Sequence, residues 1–265
     1  MNLTLYRKEL KGSWKLLVIF AAILTMYISM IISMYDPEMA DALKQFEELM
    51  PELMAAVGMV GGQDTLMGFM TSYLYGMILL VFPMVYIIIR ANGLIAKYVD
   101  QGSMAALLAA PVKRSRVAFT QWMVLVTGIV LLAAYSTALE WFVSEGMFPG
   151  ELELRQLLQV NGGLLCLHLF IGGFCFLCSC LFSEAKLSLT FGAGIPVLMY
   201  ILQMLANMGG KLEKIKYATF FTLFQAEGLA AGEEQAFLFA GILLLAAFVC
   251  SVAGILVFRS KDLHL

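Results

Sequence analysis

Cys175, Cys178 and Cys180 fall within the six residues CFLCSC, and thiolates at that spacing can share a zinc ion. A closed zinc site needs further ligands, and no second pair stands near in sequence. Cysteine is also small and apolar, which suits the contact between two helices, so helix packing is the preferred reading. All five cysteines lie inside apolar runs, which argues against an exported disulfide framework. His168, alone in an apolar run, reads as a packed and hydrogen-bonded histidine. Phosphate-binding loops need glycines followed by Lys and Ser/Thr, so that backbone N–H groups can cradle the anion. The one Gly-Lys pair, Gly210-Lys211, is followed by Leu212. No G-x-S-x-G nucleophile elbow occurs.

Adjacent glutamates stand at Glu47-Glu48 and Glu233-Glu234, a pairing also found in intramembrane proteases of the CAAX type. Neither pair is followed four positions on by the Arg that such a site pairs with it, and both lie outside the longest apolar runs. They read as acidic loops. No catalytic motif, cofactor site or metal site is expected in this chain. With 61% hydrophobic residues, 14% charged and a net charge of -2, nothing points to a nucleic-acid partner. The mean hydropathy of +0.86 makes a bilayer the natural solvent.

Six apolar runs are long enough to cross as helices: Leu16–Tyr35, Leu66–Ile89, Val117–Leu139, Leu157–Phe182, Leu187–Met208 and Ala236–Phe258. The first is read as a permanent span and not as a cleavable leader. An even number of spans puts both termini on one side. That side carries twelve Lys/Arg against five opposite, while acidic residues divide four against fifteen. By the positive-inside rule both termini are cytoplasmic. As delimited, none of the spans contains Asp, Glu, Lys or Arg. Ion-coupled carriers usually keep such groups in the membrane, so a carrier is the less favoured alternative.

The stretch DQGSMAALLAAPVKRSRV, residues 100–116 and Val117, belongs to no span. Its apolar core covers only about 12 Å as a helix, against a bilayer core of about 30 Å. Ser103 is a helix cap by type. Met104, Leu107 and Leu108 follow at i, i+3 and i+4 on one face, and Pro111 ends the ladder. Lys113, Arg114 and Arg116 then suit lipid headgroups or an acidic protein surface. The expectation is a short cytoplasmic helix presenting three apolar side chains.

This stretch resembles the intracellular loop of ABC-2-type exporter permeases, in which an acidic residue and Gly-Thr lead to Leu-Leu and then Pro-Val-x-Arg. Gly102, Leu107-Leu108, Pro111-Val112 and Arg114 match; Ser103 replaces the Thr, and Gln101 takes a position that is often acidic. LYRKELKGSW, near the start, is similar to the family's amphipathic helix leading into the membrane (residues 1–15). VFRSKDLHL resembles its ending through Phe258, Arg259, Lys261, Asp262 and Leu263. The resemblance spans the whole chain. It implies an all-α integral membrane protein, one permease domain over residues 1–265, with six transmembrane helices and both termini cytoplasmic. Residues 100–116 would be the coupling helix and basic loop that seat in a separate ATPase subunit. Ser103, Met104, Leu107, Leu108, Pro111, Arg114 and Arg116 would form that contact. ATP and Mg would be bound by the partner, and a second permease copy or a sister permease would complete the path. The bacterial cytoplasmic (plasma) membrane is the implied location. An ion-coupled or facilitative carrier, an intramembrane enzyme and an assembly factor are the alternatives.

Two external segments complete the expectation. Residues 36–65 carry the apolar stripe Met39, Leu43, Phe46, Leu49, Met50, Leu53 and Met54, which fits amphipathic helices on the outer leaflet, broken near Pro51. Residues 209–235, with Tyr217, Phe220, Phe221 and Phe224, are too short to cross and resemble the family's external re-entrant element, without its usual Pro. Gly58/Gly62, Gly68/Gly76 and Gly192 are expected to allow close helix approach.

Overall fold

In the computed structural model the chain is described over residues 1–35, 49–59, 65–104 and 112–261, and every regular element there is helical. Helix α1 runs Leu3–Ser33. Its start is fixed by Asn2, whose Oδ1 accepts from the N–H groups of Thr4 and Leu5 at 3.1 and 3.2 Å. Leu24, Ile28 and Ile32 recur every fourth residue and are fully buried, while Ile19 and Met26 on the other face are exposed. The expected leading helix and first span are therefore one unbroken helix. Leu5, Glu9 and Ser13 of its first turns are buried against the bundle. Glu9 finds polar partners there in Tyr98 and Arg90.

Short α2 (Pro51–Ala56) begins with Pro at its first turn. Then α3 (Leu66–Tyr73), a π-helical turn (Leu74–Ile78), α4 (Leu79–Leu94) and α5 (Ala96–Asp100) make a second rod. Next come α6 (Arg114–Met147), α7 (Leu154–Leu181) and α8 (Ala185–Asn207). Two 3-10 turns (Gly210–Ala218, Phe220–Leu223), α9 (Ala226–Ala231) and α10 (Glu234–Ser260) finish the fold. Among the described residues six helical rods are long and apolar enough to cross a membrane, as hydropathy required.

The first rod begins well before its expected start and the second and third run well past their expected ends, while the last three stay close to their expected bounds. Hydropathy stops at the first charged residue, whereas the i→i−4 ladder continues wherever side chains can be accommodated. The expectation that no span holds a charge is thereby corrected: α1 contains Glu9, α4 contains Arg90 and α6 contains Glu140. Glu140 stands one residue past the expected end of its span.

Helix directions follow from the contacts. Asn2 N donates to Thr120 Oγ1 at 2.9 Å, and Thr25 Oγ1 lies 2.6 Å from Tyr135 Oη, so α1 and α6 run parallel. Phe20 meets Tyr86 and Tyr35 meets Phe69, so the second rod runs back along α1. Arg114 Nη1 donates to Lys261 O at 2.9 Å, and Lys261 Nζ to Leu181 O at 2.8 Å. Both described chain ends and both flanks of residues 105–111 thus share one end of the bundle, here the terminal end. Lys261 caps carbonyls at the close of α7, where a cation opposes the helix dipole; burial lowers its pKa, while Cys180 raises it.

Close packing falls at glycines. A Cβ on Gly173 of α7 would lie 2.8 Å from the Ala247 carbonyl oxygen of α10, and one on Gly76 would lie 2.8 Å from Val57 O. Gly58, at φ +78, packs on Gly76, a close approach at two of the expected glycines, while Gly62 lies outside the described residues. Gly192 of α8 faces Cys175 and Cys178, and Cys175 Sγ donates to Gly192 O at 3.1 Å. The thiols here serve a helix–helix contact. Ile201 on α8, with Leu245 and Phe248 on α10, points outward, as a lipid-facing surface requires.

Beyond α8 the chain turns back into the bundle. Phe221 packs edge-on to Tyr200 at 5.5 Å, and Phe220 meets Phe170, past the middle of α7, at 5.0 Å. The short α9 then returns, with Leu229 against Gly163.

Candidate functional site

The expected contact residues separate. Gly102 adopts φ +67, a left-handed turn that redirects the chain after α5. Ser103 Oγ donates back to Tyr98 O at 3.2 Å. Met104 is fully buried in the continuous core. The expected row of three cytoplasmic apolar side chains is corrected at this residue, because the turn at Gly102 carries Met104 inward. Leu107, Leu108 and Pro111 lie outside the described residues, as do most of the expected amphipathic segment 36–65, Asp262 and Leu263. Arg114, in the first turn of α6, is tied to the end of α10 through Lys261 O. Arg116 is exposed.

Beside these residues, still at the terminal end, lies a cleft of about 430 Å³ lined by Glu9, Arg90, Lys97 and Tyr98. Tyr98 Oη donates to Glu9 Oε1 at 2.6 Å, and Arg90 Nη2 stands 3.6 Å from Glu9 Oε2. The sequence hides this group, since its three members come from α1, α4 and α5.

The opposite end holds the larger cavity, about 540 Å³, between the π turn, α8 and the returning segment. Tyr75, Tyr200, Phe221 and Phe224 form aromatic wall, and Glu227 and Glu233 contribute acids. Thr222 Oγ1 lies 2.9 Å from Gln203 Oε1 in that wall and 2.6 Å from Lys216 O. The π turn supplies Tyr75; one extra residue per turn shifts the side chains that follow, a device common at functional sites. His168, by contrast, faces the Leu80 carbonyl at 3.4 Å, next to where Pro83 interrupts the ladder of α4.

Tyr75 links this chamber to a buried polar network. Its hydroxyl donates to Glu140 Oε2 at 2.6 Å. Asn161 Nδ2 donates to Tyr75 Oη at 2.6 Å and to Glu140 Oε2 at 2.9 Å, with Leu157 O at 3.2 Å. Asn161 also lines a groove of about 510 Å³ between α6 and α7, walled by Ala134, Ala138 and Gly162. Glu140 has no exposed surface. No Lys or Arg forms an ion pair with it among the described residues. An ionisable residue at such a position marks function by default. Sequence reasoning missed it, although a signal was present: Ser136, Glu140 and Ser144 recur every fourth residue, a polar stripe on one helical face, and all three are buried.

Compared with known proteins, the chain matches no protein-family model and no curated protein sequence.

Proposed function

We propose that the chain is the membrane-spanning permease subunit of an ABC-2-type exporter. In this reading both termini and residues 100–116 face the cytoplasm of a bacterial cell, and a second copy or sister permease completes the path. A separate ATPase subunit holds ATP and Mg and pushes on the coupling segment. The motif order in the sequence, from Gly102 through Leu107-Leu108 to Arg114, first suggests it.

The observation that carries the reading is mechanical. Residues 105–111 are flanked by anchors into the bundle: Ser103 to Tyr98 of the second rod, Met104 into the core, and Arg114 of α6 to the end of α10. A push delivered there moves packed helices as levers. Leu107→Asp with Leu108→Asp should leave the protein inserted yet abolish its co-purification with a nucleotide-binding subunit, or uncouple that subunit's ATPase. Normal retention and coupling in the double variant would overturn the assignment.

One observation favours a second reading. Glu140 gives the bundle the intramembrane acid that ion-coupled carriers use. Purified protein in liposomes that moved solute under an ion gradient, with no ATPase present, would establish the carrier instead.

A further inference from the structure

Glu140 and Asn161 each use only half of a planar group. Oε2 of Glu140 accepts from Tyr75 and from Asn161 Nδ2. Oε1 of Glu140 and Oδ1 of Asn161 are both buried and without a hydrogen-bond partner among the described residues. Buried polar atoms are ordinarily paired, and two orphan acceptors on two groups already joined by one hydrogen bond have a common remedy. A single proton on Oε1 turns that oxygen into a donor, and the amide oxygen is the acceptor at hand. The acid and the amide then form a doubly hydrogen-bonded pair, N–H to Oε2 and O–H to Oδ1. The same proton removes the charge from a carboxylate that has no cation partner among the described residues, which the low-dielectric surroundings would otherwise penalise.

We propose that Glu140 and Asn161 form a proton-binding site, whose proton exchanges with water in the chamber by way of Tyr75. Tyr75 is part of the chamber wall, and Asn161 is part of the wall of the lateral groove, so the pair lies between the two cavities. Uptake passes the Tyr75 hydroxyl proton to the oxygen it faces while the phenol oxygen takes a proton from hydronium in the chamber and leaves water; rotation of the carboxyl then turns the protonated oxygen to Asn161 Oδ1, and release is the reverse. Other titratable groups on the elements around the site are Tyr35 just past α1, Tyr73 on α3, Glu145 on α6, Arg155 and His168 on α7, Tyr200 on α8, Glu227 on α9, and Glu233 and Glu234 at the start of α10. His168 is turned to Leu80 O, Glu145 accepts from the Gly150 N–H, and Tyr75 is hydrogen-bonded to Glu140. The proposal does not depend on the exporter assignment, since it concerns this chain alone.

Infrared difference spectroscopy on the full chain in lipid nanodiscs, with carboxyl-labelled glutamate, tests it. The expected result is a protonated carboxylic acid band at neutral pH that shifts on transfer to D2O and is absent from Glu140→Gln. Asn161→Leu should raise the frequency of the band, because the acid loses its acceptor. Tyr75→Phe keeps the test alive should Glu140→Gln not fold: it removes a donor to Oε2 and should also displace the band. A glutamate spectrum at neutral pH with carboxylate bands alone would overturn the proposal. So would an acid band that neither Asn161→Leu nor Tyr75→Phe moves. Conversion of the band to carboxylate on raising Na⁺ at fixed pH would assign the site to a metal cation and overturn it equally. Failure of the band to shift in D2O would overturn exchange with the chamber.

Discussion

Glu140 is kept inside the bundle by what it accepts: Tyr75 Oη at 2.6 Å and Asn161 Nδ2 at 2.9 Å. Removing the acceptor takes from both donors the partner they share inside the bundle. Glu140→Ala should therefore lower stability by about 1–3 kcal/mol, measured by thermal or denaturant unfolding in detergent. Glu140→Gln keeps the shape and supplies an amide N–H toward Asn161 Oδ1, so it should cost less than about 1 kcal/mol. Equal losses in the two variants would show that volume, not hydrogen bonding, holds the residue. At the terminal end Glu9 has the opposite character. It faces Arg90, so its charge is balanced where it is buried.

Among elements, the α7–α10 pair depends on backbone proximity. A side chain at Gly173 would meet the Ala247 carbonyl oxygen at 2.8 Å, and backbone cannot rotate aside as a side chain can. Gly173→Ala should destabilise the protein by about 1–3 kcal/mol in the same unfolding measurement. Gly241→Ala, on α10 with nothing within 4 Å of a new Cβ, should be neutral or raise stability by up to about 1 kcal/mol. The contrast separates helix propensity from packing within this pair of helices. Cys175 sits at another such contact, giving its Sγ hydrogen to Gly192 O. Cys175 and Cys178 of the CFLCSC cluster thus meet Gly192 where α7 and α8 lie side by side.

For the whole molecule, the arrangement is six rods with both described chain ends at one end and the larger cavity at the other. If the exporter reading holds, the terminal end faces the cytoplasm. A cysteine introduced at exposed Arg116 should then react with a membrane-impermeant thiol reagent only after cells are permeabilised. One at Tyr217, 82% exposed near the chamber, should react in intact cells. The reverse labelling pattern would invert the orientation and remove the coupling assignment with it. The Leu107→Asp, Leu108→Asp double variant belongs to this scale too, because its effect must pass through Arg114 and Lys261 to reach α6 and α10.

Local composition determined the part of this protein that local composition can reach. Six apolar stretches dictate six helices, since a bilayer leaves the backbone no other partner within one segment. The asymmetry of Lys and Arg dictates that the two sides differ, and the residues 100–116 stand out as too short to cross. Hydropathy could not reach Glu9, Arg90 or Glu140, because a windowed average ends at a charge while the helix does not. Whether a buried charge is tolerable depends on neighbours from distant parts of the chain: Tyr98 and Arg90 for Glu9, Tyr75 and Asn161 for Glu140. The inward turn of Met104 and the meeting of Gly58 with Gly76 are decided in the same way. Hydrogen bonds and backbone contacts between rods set them, and those exist only once the rods are packed.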